Sequence, residues 1–155
     1  MNLFGVMDLT GTALKAERVR AEVVASNMAN AETTRTATGG PYQRQHVVFQ
    51  EVGGGFADAM QGQGFGAGLL SASGSSAAPV GGVEISGVMT DNSAPLERYD
   101  PGHPDADANG FVAYPDINPL TEMVDLMGAT RSYGLNATAV QAEKGMITAS
   151  LEILK

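Results

Sequence analysis

Residues 126–154 read LMGATRSYGLNATAVQAEKGMITASLEIL, and an apolar residue returns in this stretch at every seventh position: Leu126, Tyr133, Val140, Ile147 and Leu154. A second, more mixed row runs beside it: Met123, Thr130, Ala137, Lys144 and Leu151. The steps between the rows alternate three and four residues, which places both on one side of a helix. A pattern sustained over this length asks for a long partner, and the other end of the chain offers one. Residues 3–29 keep Leu3, Met7, Leu14, Ala21, Val24 and Met28 on one broad stripe, with Leu9, Ala13, Ala16 and Val23 beside it. The charges Lys15, Glu17, Arg18, Arg20 and Glu22 interrupt the stripe's edge.

Punctuation signals fix where these helices begin and end. The first is expected to fail between Asn27 and Thr34, where asparagines and paired threonines have low helix propensity, with a turn enforced soon after at Gly39-Gly40-Pro41. The last is expected to start at Asn118-Pro119. Asn118 can cap, Pro119 suits the first helical position, and Glu122 lies near the positive end of the dipole. Running on to Lys155, it would be about 55 Å long at ~1.5 Å per residue. Gly128, Gly134 and Gly145 lie inside it, each costing about 1 kcal/mol against alanine. They indicate either close helix packing or a helix that firms up only on assembly.

Between the helices the period changes. Gln45–Val52 is strand-like from its β-branched and aromatic content. Val83, Ile85 and Met89 alternate with Glu84, Ser86 and Thr90, the pattern of a half-buried strand, and Leu96–Asp100 and Gly110–Tyr114 are two further candidates. In the last of these, Phe111 and Ala113 share one face. Residues 53–82 are rich in Gly, Ala and Ser and cannot bury enough apolar area to offset chain entropy. They read as a flexible insertion. The expected fold is α+β: long N- and C-terminal helices paired as an antiparallel coiled coil, with a small β unit between them. The expected divisions are 1–34, 35–117 (including the insertion) and 118–155.

Composition narrows the function. The chain has 155 residues, 43% hydrophobic and 17% charged, with nine basic residues against seventeen acids and a net charge of -8. That balance argues against nucleic acid, whose phosphates need basic residues in excess. No apolar run approaches the roughly 18–20 residues that span a bilayer, so membrane insertion is not expected. There are no cysteines, which excludes disulfides, thiolate catalysis and zinc–sulfur sites. Met1–Met7 carries no Lys or Arg, the first basic residue being Lys15, so the start does not have the form of a cleaved signal peptide. A chain of this kind leaving the cytoplasm would use another route.

One segment looks chemical. In DPGHPDADANGFVAYPD, residues 100–116, Asp105, Asp107 and Asn109 stand at positions 1, 3 and 5 of a calcium loop, Gly110 at 6 and Asp116 at 12. The context argues against it: Pro101 and Pro104 forbid an entering helix, and Asp116 is shorter than the usual bidentate glutamate. The competing reading is a polar turn built from Asx and Gly-Pro chemistry. A calcium-binding module is the alternative function, with these four residues as its ligands. His46 and His103 are the only histidines, and no serine lies in a nucleophile-elbow pattern. No constellation meets the requirements of catalysis, so neither an enzyme nor a cofactor is expected.

Several stretches resemble one family. Ser26-Asn27-Met28-Ala29-Asn30-Ala31 is similar to the N-terminal signature of the flagellar rod and hook family. YDPGHPDADANGFVAYP at Tyr99–Pro115 resembles its proximal-rod branch, as do Val47–Glu51, Glu122-Met123-Val124-Asp125, Ala129–Tyr133 and Asn136. The resemblance covers about 1–52 and 83–155 and leaves the glycine-rich insertion outside. Gly134-Leu135 and Asp116 depart from the family's usual residues. The resemblance implies a structural subunit of the rod, the drive shaft crossing the periplasm, exported without a cleaved signal peptide by the flagellar type III apparatus. It implies as partners the other rod proteins, the adaptor protein at the rod base, and copies of itself. Leu126, Tyr133, Val140, Ile147 and Leu154 are then expected to form an assembly seam against Leu3, Met7, Leu14, Ala21 and Val24. Asn27, Asn30, Arg131 and Asn136 are the polar residues assigned to assembly.

Overall fold

The computed structural model describes residues 3–52 and 81–153. The expected insertion at 53–82 therefore lies, but for its last two residues, outside the described residues. The order of elements is α1 (Leu3–Ala29), β1 (Gln45–Val52), β2 (Gly82–Thr90), β3 (Leu96–Tyr99), β4 (Phe111–Tyr114) and α2 (Pro119–Ile153). Strand β1 pairs with β2, and β3 with β4, as two separate two-stranded sheets. The fold is α+β, with long helices at both ends and a small β region between. Among the described residues, no helix is long and apolar enough to cross a membrane.

The ends of the helices follow from local chemistry. The Asn118 Oδ1 accepts from the Leu120 backbone N–H at 3.0 Å, and Pro119, with no N–H to orphan, opens α2. At the end of α1, Asn30 turns back: its Nδ2 donates to the Ser26 carbonyl at 2.9 Å, and its own N–H reaches the same oxygen at 3.1 Å. Thr33 Oγ1 then donates to Asn30 Oδ1 at 3.2 Å, holding the chain's exit from the helix. Gly39 and Gly40 follow with φ of 85° and 79°, the left-handed turn that the Gly-Gly-Pro sequence demanded.

The chain divides into two compact units that cut across the long elements: 1–16, 49–85 and 134–155 in the first, 17–48 and 86–133 in the second. In the first, Gly82 is buried against Val52 and Thr12, and the Val83 N–H donates to Thr12 Oγ1 at 3.3 Å. Ala16 and Glu143 are the buried side chains of its helical parts, with Met7, Leu14, Asn136, Val140 and Ile147 half-buried.

In the second unit, α1 and α2 run antiparallel. Asn27 meets Glu122, and one turn or two further along Arg20 faces Asp125 at 3.7 Å. Val23, Val24, Val112, Ile117 and Ala129 form the apolar core. The β3–β4 hairpin is antiparallel, with Leu96 opposite Tyr114 and Tyr99 opposite Phe111. Val112 is its buried residue, on the face opposite Phe111 and Ala113. Tyr99 and Phe111 meet edge-to-face at 5.4 Å, and the Arg98 guanidinium lies 5.5 Å over the Tyr114 ring. The hairpin closes through Gly110, whose φ is +80° and where a Cβ would stand 2.8 Å from Tyr99 Cε2.

Two expectations for α2 need correction. The row that packs beside Leu126 is Glu122 and Ala129, both buried, rather than Met123 and Thr130, both exposed. Further along the helix Glu143 is buried while Lys144 and Leu151 are exposed. The neighbour of the heptad lies four residues before each apolar position instead of three. Small or polar residues occupy it: helices approach closely over alanine, and the buried Glu122 is bonded by Asn27 and Arg44. Close packing also does not account for the glycines of α2. A Cβ at Gly128, Gly134 or Gly145 would meet nothing within 4 Å.

Candidate functional site

At the junction of α1, β1 and α2 in the second unit, a buried polar cluster joins the three elements. Asn27 is 1% exposed and its amide is fully used. Oδ1 accepts from the Gln45 N–H at 2.9 Å and from the Tyr42 hydroxyl at 3.2 Å. Nδ2 donates to the Gln45 carbonyl at 2.9 Å and to Glu122 Oε2 at 3.1 Å. The side-chain amide thus pairs with the backbone of Gln45 as a neighbouring strand would, fixing where β1 begins. Glu122, also 1% exposed, takes its second partner from Arg44, whose Nε donates to Oε1 at 2.8 Å. A buried carboxylate is costly unless paired and hydrogen-bonded, and here it is both. Ser26 Oγ lies 3.3 Å from the Tyr42 hydroxyl and closes the cluster.

Asn27 therefore bonds the backbone of β1 rather than that of its own helix, and Asn30 is the residue that turns back onto α1. Arg44 and Tyr42 carry no mark in the sequence, and Glu122 stands out there only as an acid near the positive end of the last helix's dipole and in the Glu122–Asp125 resemblance, not as a buried residue. Nothing local announces that Arg44 reaches it.

The remaining assigned residues divide by unit. In the second, Ala21, Val24 and Leu126 lie on the facing surfaces of the two helices, Tyr133 is 44% exposed at their edge, and Arg131 points outward. Between the helices runs an open groove of about 630 Å³ lined by Ala21, Ala25, Leu126, Ala129, Thr130 and Tyr133. Arg18 and Glu22 wall one side, joined at 2.9 Å, and the Glu22 carboxylate pushes the Arg18 guanidinium's pKa up. Glu17 closes one end; its Oε2 is buried, accepts no hydrogen bond, and lies 3.8 Å from Arg20 Nη1. In the first unit, Met7, Leu14, Asn136, Val140 and Ile147 are half-buried. The side chains of Leu3 and Leu154 lie outside the described residues.

The calcium geometry does not form. Asp105 is engaged by Thr34, whose Oγ1 donates at 2.9 Å, and by Arg35 at 3.4 Å. Asp107 spends its carboxylate on the Ala108 N–H and its backbone on Phe111 and Gly110. Asn109 and Asp116 are exposed, and among the described residues no group of three or more His, Cys, Asp or Glu could hold a metal ion. The segment is the polar turn of the competing reading, and Asp105 ties it to the chain leaving α1. Asp91, after β2, has its pKa held below the usual carboxylate range, first by the Ser93 hydroxyl at 2.8 Å, then by the Ser93 N–H and by His46 at 3.5 Å.

Two known families match the two ends of the chain. The family described as "Flagella basal body rod protein" matches residues 7–35, and "Flagellar basal body rod FlgEFG protein C-terminal" matches residues 108–153. The "Flagellar basal-body rod protein FlgC" of Bacillus subtilis is 41% identical over the full length of both chains. The proteins of the same description from Salmonella typhimurium, at 35% over 99% of this chain and 98% of theirs, and from Borreliella burgdorferi, at 33% over 100% and 99%, are similar throughout.

Proposed function

The chain belongs to the FlgC family of flagellar basal-body rod proteins, and from this we propose that its paired terminal helices build it into the wall of the proximal rod, where it carries torque from copy to copy. Its role is structural and not catalytic. The observation that carries this reading is a long helix at each end of the chain, the two held antiparallel in the second unit through Asn27 and Glu122, with the opposite side of α2 left apolar and exposed. A buried, fully bonded junction makes that unit stiff, and stiffness is what a drive shaft requires. Apolar surface displayed on the helix supplies the association, at about 25 cal/mol per Å² removed from water.

On this reading the chain works in the periplasmic part of the basal body, arrives there through the type III export apparatus, and meets other rod proteins, the adaptor at the rod base and further copies of itself. Leu126, Tyr133, Val140 and Ile147, with Met7, Leu14, Ala21 and Val24, form the helical seam. Asn27 and Asn30 set the angle at which α1 gives way to the β region, and Arg131 and Asn136 act in assembly. Val140→Asp tests the seam by putting a carboxylate among apolar side chains. The variant should be exported into the medium at the normal level, be missing from isolated basal bodies, and leave cells non-motile. Normal swimming would show that the seam has been wrongly assigned.

A further inference from the structure

We propose that the outward ridge of α2 in one copy seats in the α1–α2 groove of the next, with Arg131 of the incoming copy reaching Glu17 of the receiving one. This interface deepens the rod reading and rests on it. Each residue of α2 turns the helix by about 100°, so Leu120, Val124, Met127 and Arg131 fall on one stripe, roughly half a turn away from Glu122 and Ala129. The three apolar members are 69%, 56% and 58% exposed. Such a stripe on a well-formed helix marks a surface that another element covers.

The groove fits that ridge in shape. Its floor is Ala21, Ala25 and Ala129, short side chains that leave room for Val and Met, and its rim is Leu126, Thr130 and Tyr133. It fits in spacing as well. Because α1 runs antiparallel to α2 here, the series Ala25, Ala21, Glu17 advances along the direction of α2. That series spans about 12 Å, and Val124 to Arg131 spans about 10 Å at 1.5 Å per residue. A copy lying parallel to the first thus sets Val124 over Ala25, Met127 over Ala21 and Arg131 beside Glu17.

Charge then selects this register. The chain carries a net charge of -8, so copies repel unless a cation is placed to meet an anion. Arg131 is exposed and among the described residues has no ion-pair partner. The buried Glu17 Oε2 lacks a hydrogen-bond donor. Glu17 already faces Arg20 at 3.8 Å, but its side chain is 19% exposed at the end of the groove and that oxygen accepts no hydrogen bond, so it offers Arg131 an acid. Ridge and groove are different surfaces of one chain, so every contact leaves one of each open, and the contact repeats around a ring or along a helix instead of closing as a dimer.

The absence of cysteine allows a clean test. Basal bodies from cells carrying the double variant Ala25→Cys, Val124→Cys, treated with a short bismaleimide, should yield a ladder of cross-linked copies, and each single variant monomers alone. Monomers from basal bodies that contain the double variant would overturn the interface. Absence of even the unaltered chain from basal bodies would overturn the rod reading, and the interface with it. As an independent check, Arg131→Glu should lower incorporation about tenfold, and Glu17→Arg added to it should restore it to within about twofold. Undiminished incorporation of Arg131→Glu, or no recovery in the double variant, contradicts the pairing.

Discussion

Replacing Asn27 with alanine removes four hydrogen bonds at once: two to the backbone of Gln45, one from Tyr42 and one to Glu122. The cost follows from what is left behind. The Gln45 N–H and carbonyl are half-buried, so partial rehydration sets the low end of the penalty, about 1 kcal/mol each. Glu122 is 1% exposed and loses one of its donors, worth about 2 kcal/mol for a charged acceptor. The Tyr42 hydroxyl still has Ser26 and contributes little. The sum is about 4 kcal/mol, a large part of the roughly 5–15 kcal/mol that stabilises a domain. Urea unfolding followed by circular dichroism should show that loss, and thermal scans a fall of about 8–16 °C. Asn27→Asp keeps an acceptor for the Gln45 N–H but presents a carboxylate to Glu122 and to the Gln45 carbonyl. At neutral pH it should be at least as damaging as alanine. A loss under about 1 kcal/mol for Asn27→Ala, or an aspartate variant more stable than the alanine one, would refute the reasoning.

Other consequences can be checked separately. Arg44→Met strands the buried Glu122 carboxylate and should cost about 3–5 kcal/mol in urea unfolding, while adding Glu122→Gln should recover more than half of it in a double-mutant cycle. Gly110→Ala forces a Cβ against Tyr99 at a left-handed position and should cost about 2 kcal/mol by the same measurement, with the helices unaffected. Ser93→Ala should raise the Asp91 pKa toward the ordinary carboxylate value in an NMR titration. A depressed carboxylate adds stability above its unfolded pKa and loses it as pH falls through the folded one, so the variant should surrender this contribution at higher pH than the parent.

The ends of the helices were legible because their signals are local. Asn118-Pro119 caps through its own side chain, and the asparagine- and threonine-rich stretch after Met28 stops α1 through Asn30 and Thr33. The strands were legible from β-branched content and alternation. The row packed beside Leu126 was not. Glu122 and Ala129 carry none of the hydrophobicity by which a core face is recognised, and an acid becomes a core residue only when Arg44 and Asn27 come to it from other elements. The groove was hidden for the same reason: alanine makes a floor only once two helices are side by side. The aspartate-rich turn left two readings open, a polar turn and, as the alternative, a calcium loop. Its spacing suited calcium, but Thr34 and Arg35, about seventy positions earlier, had claimed Asp105.

Electron microscopy of basal bodies from cells in which this chain has been deleted tests the account most directly. The account predicts bases without a completed rod, and cells that do not swim until the chain is restored. Complete rods in its absence would contradict it.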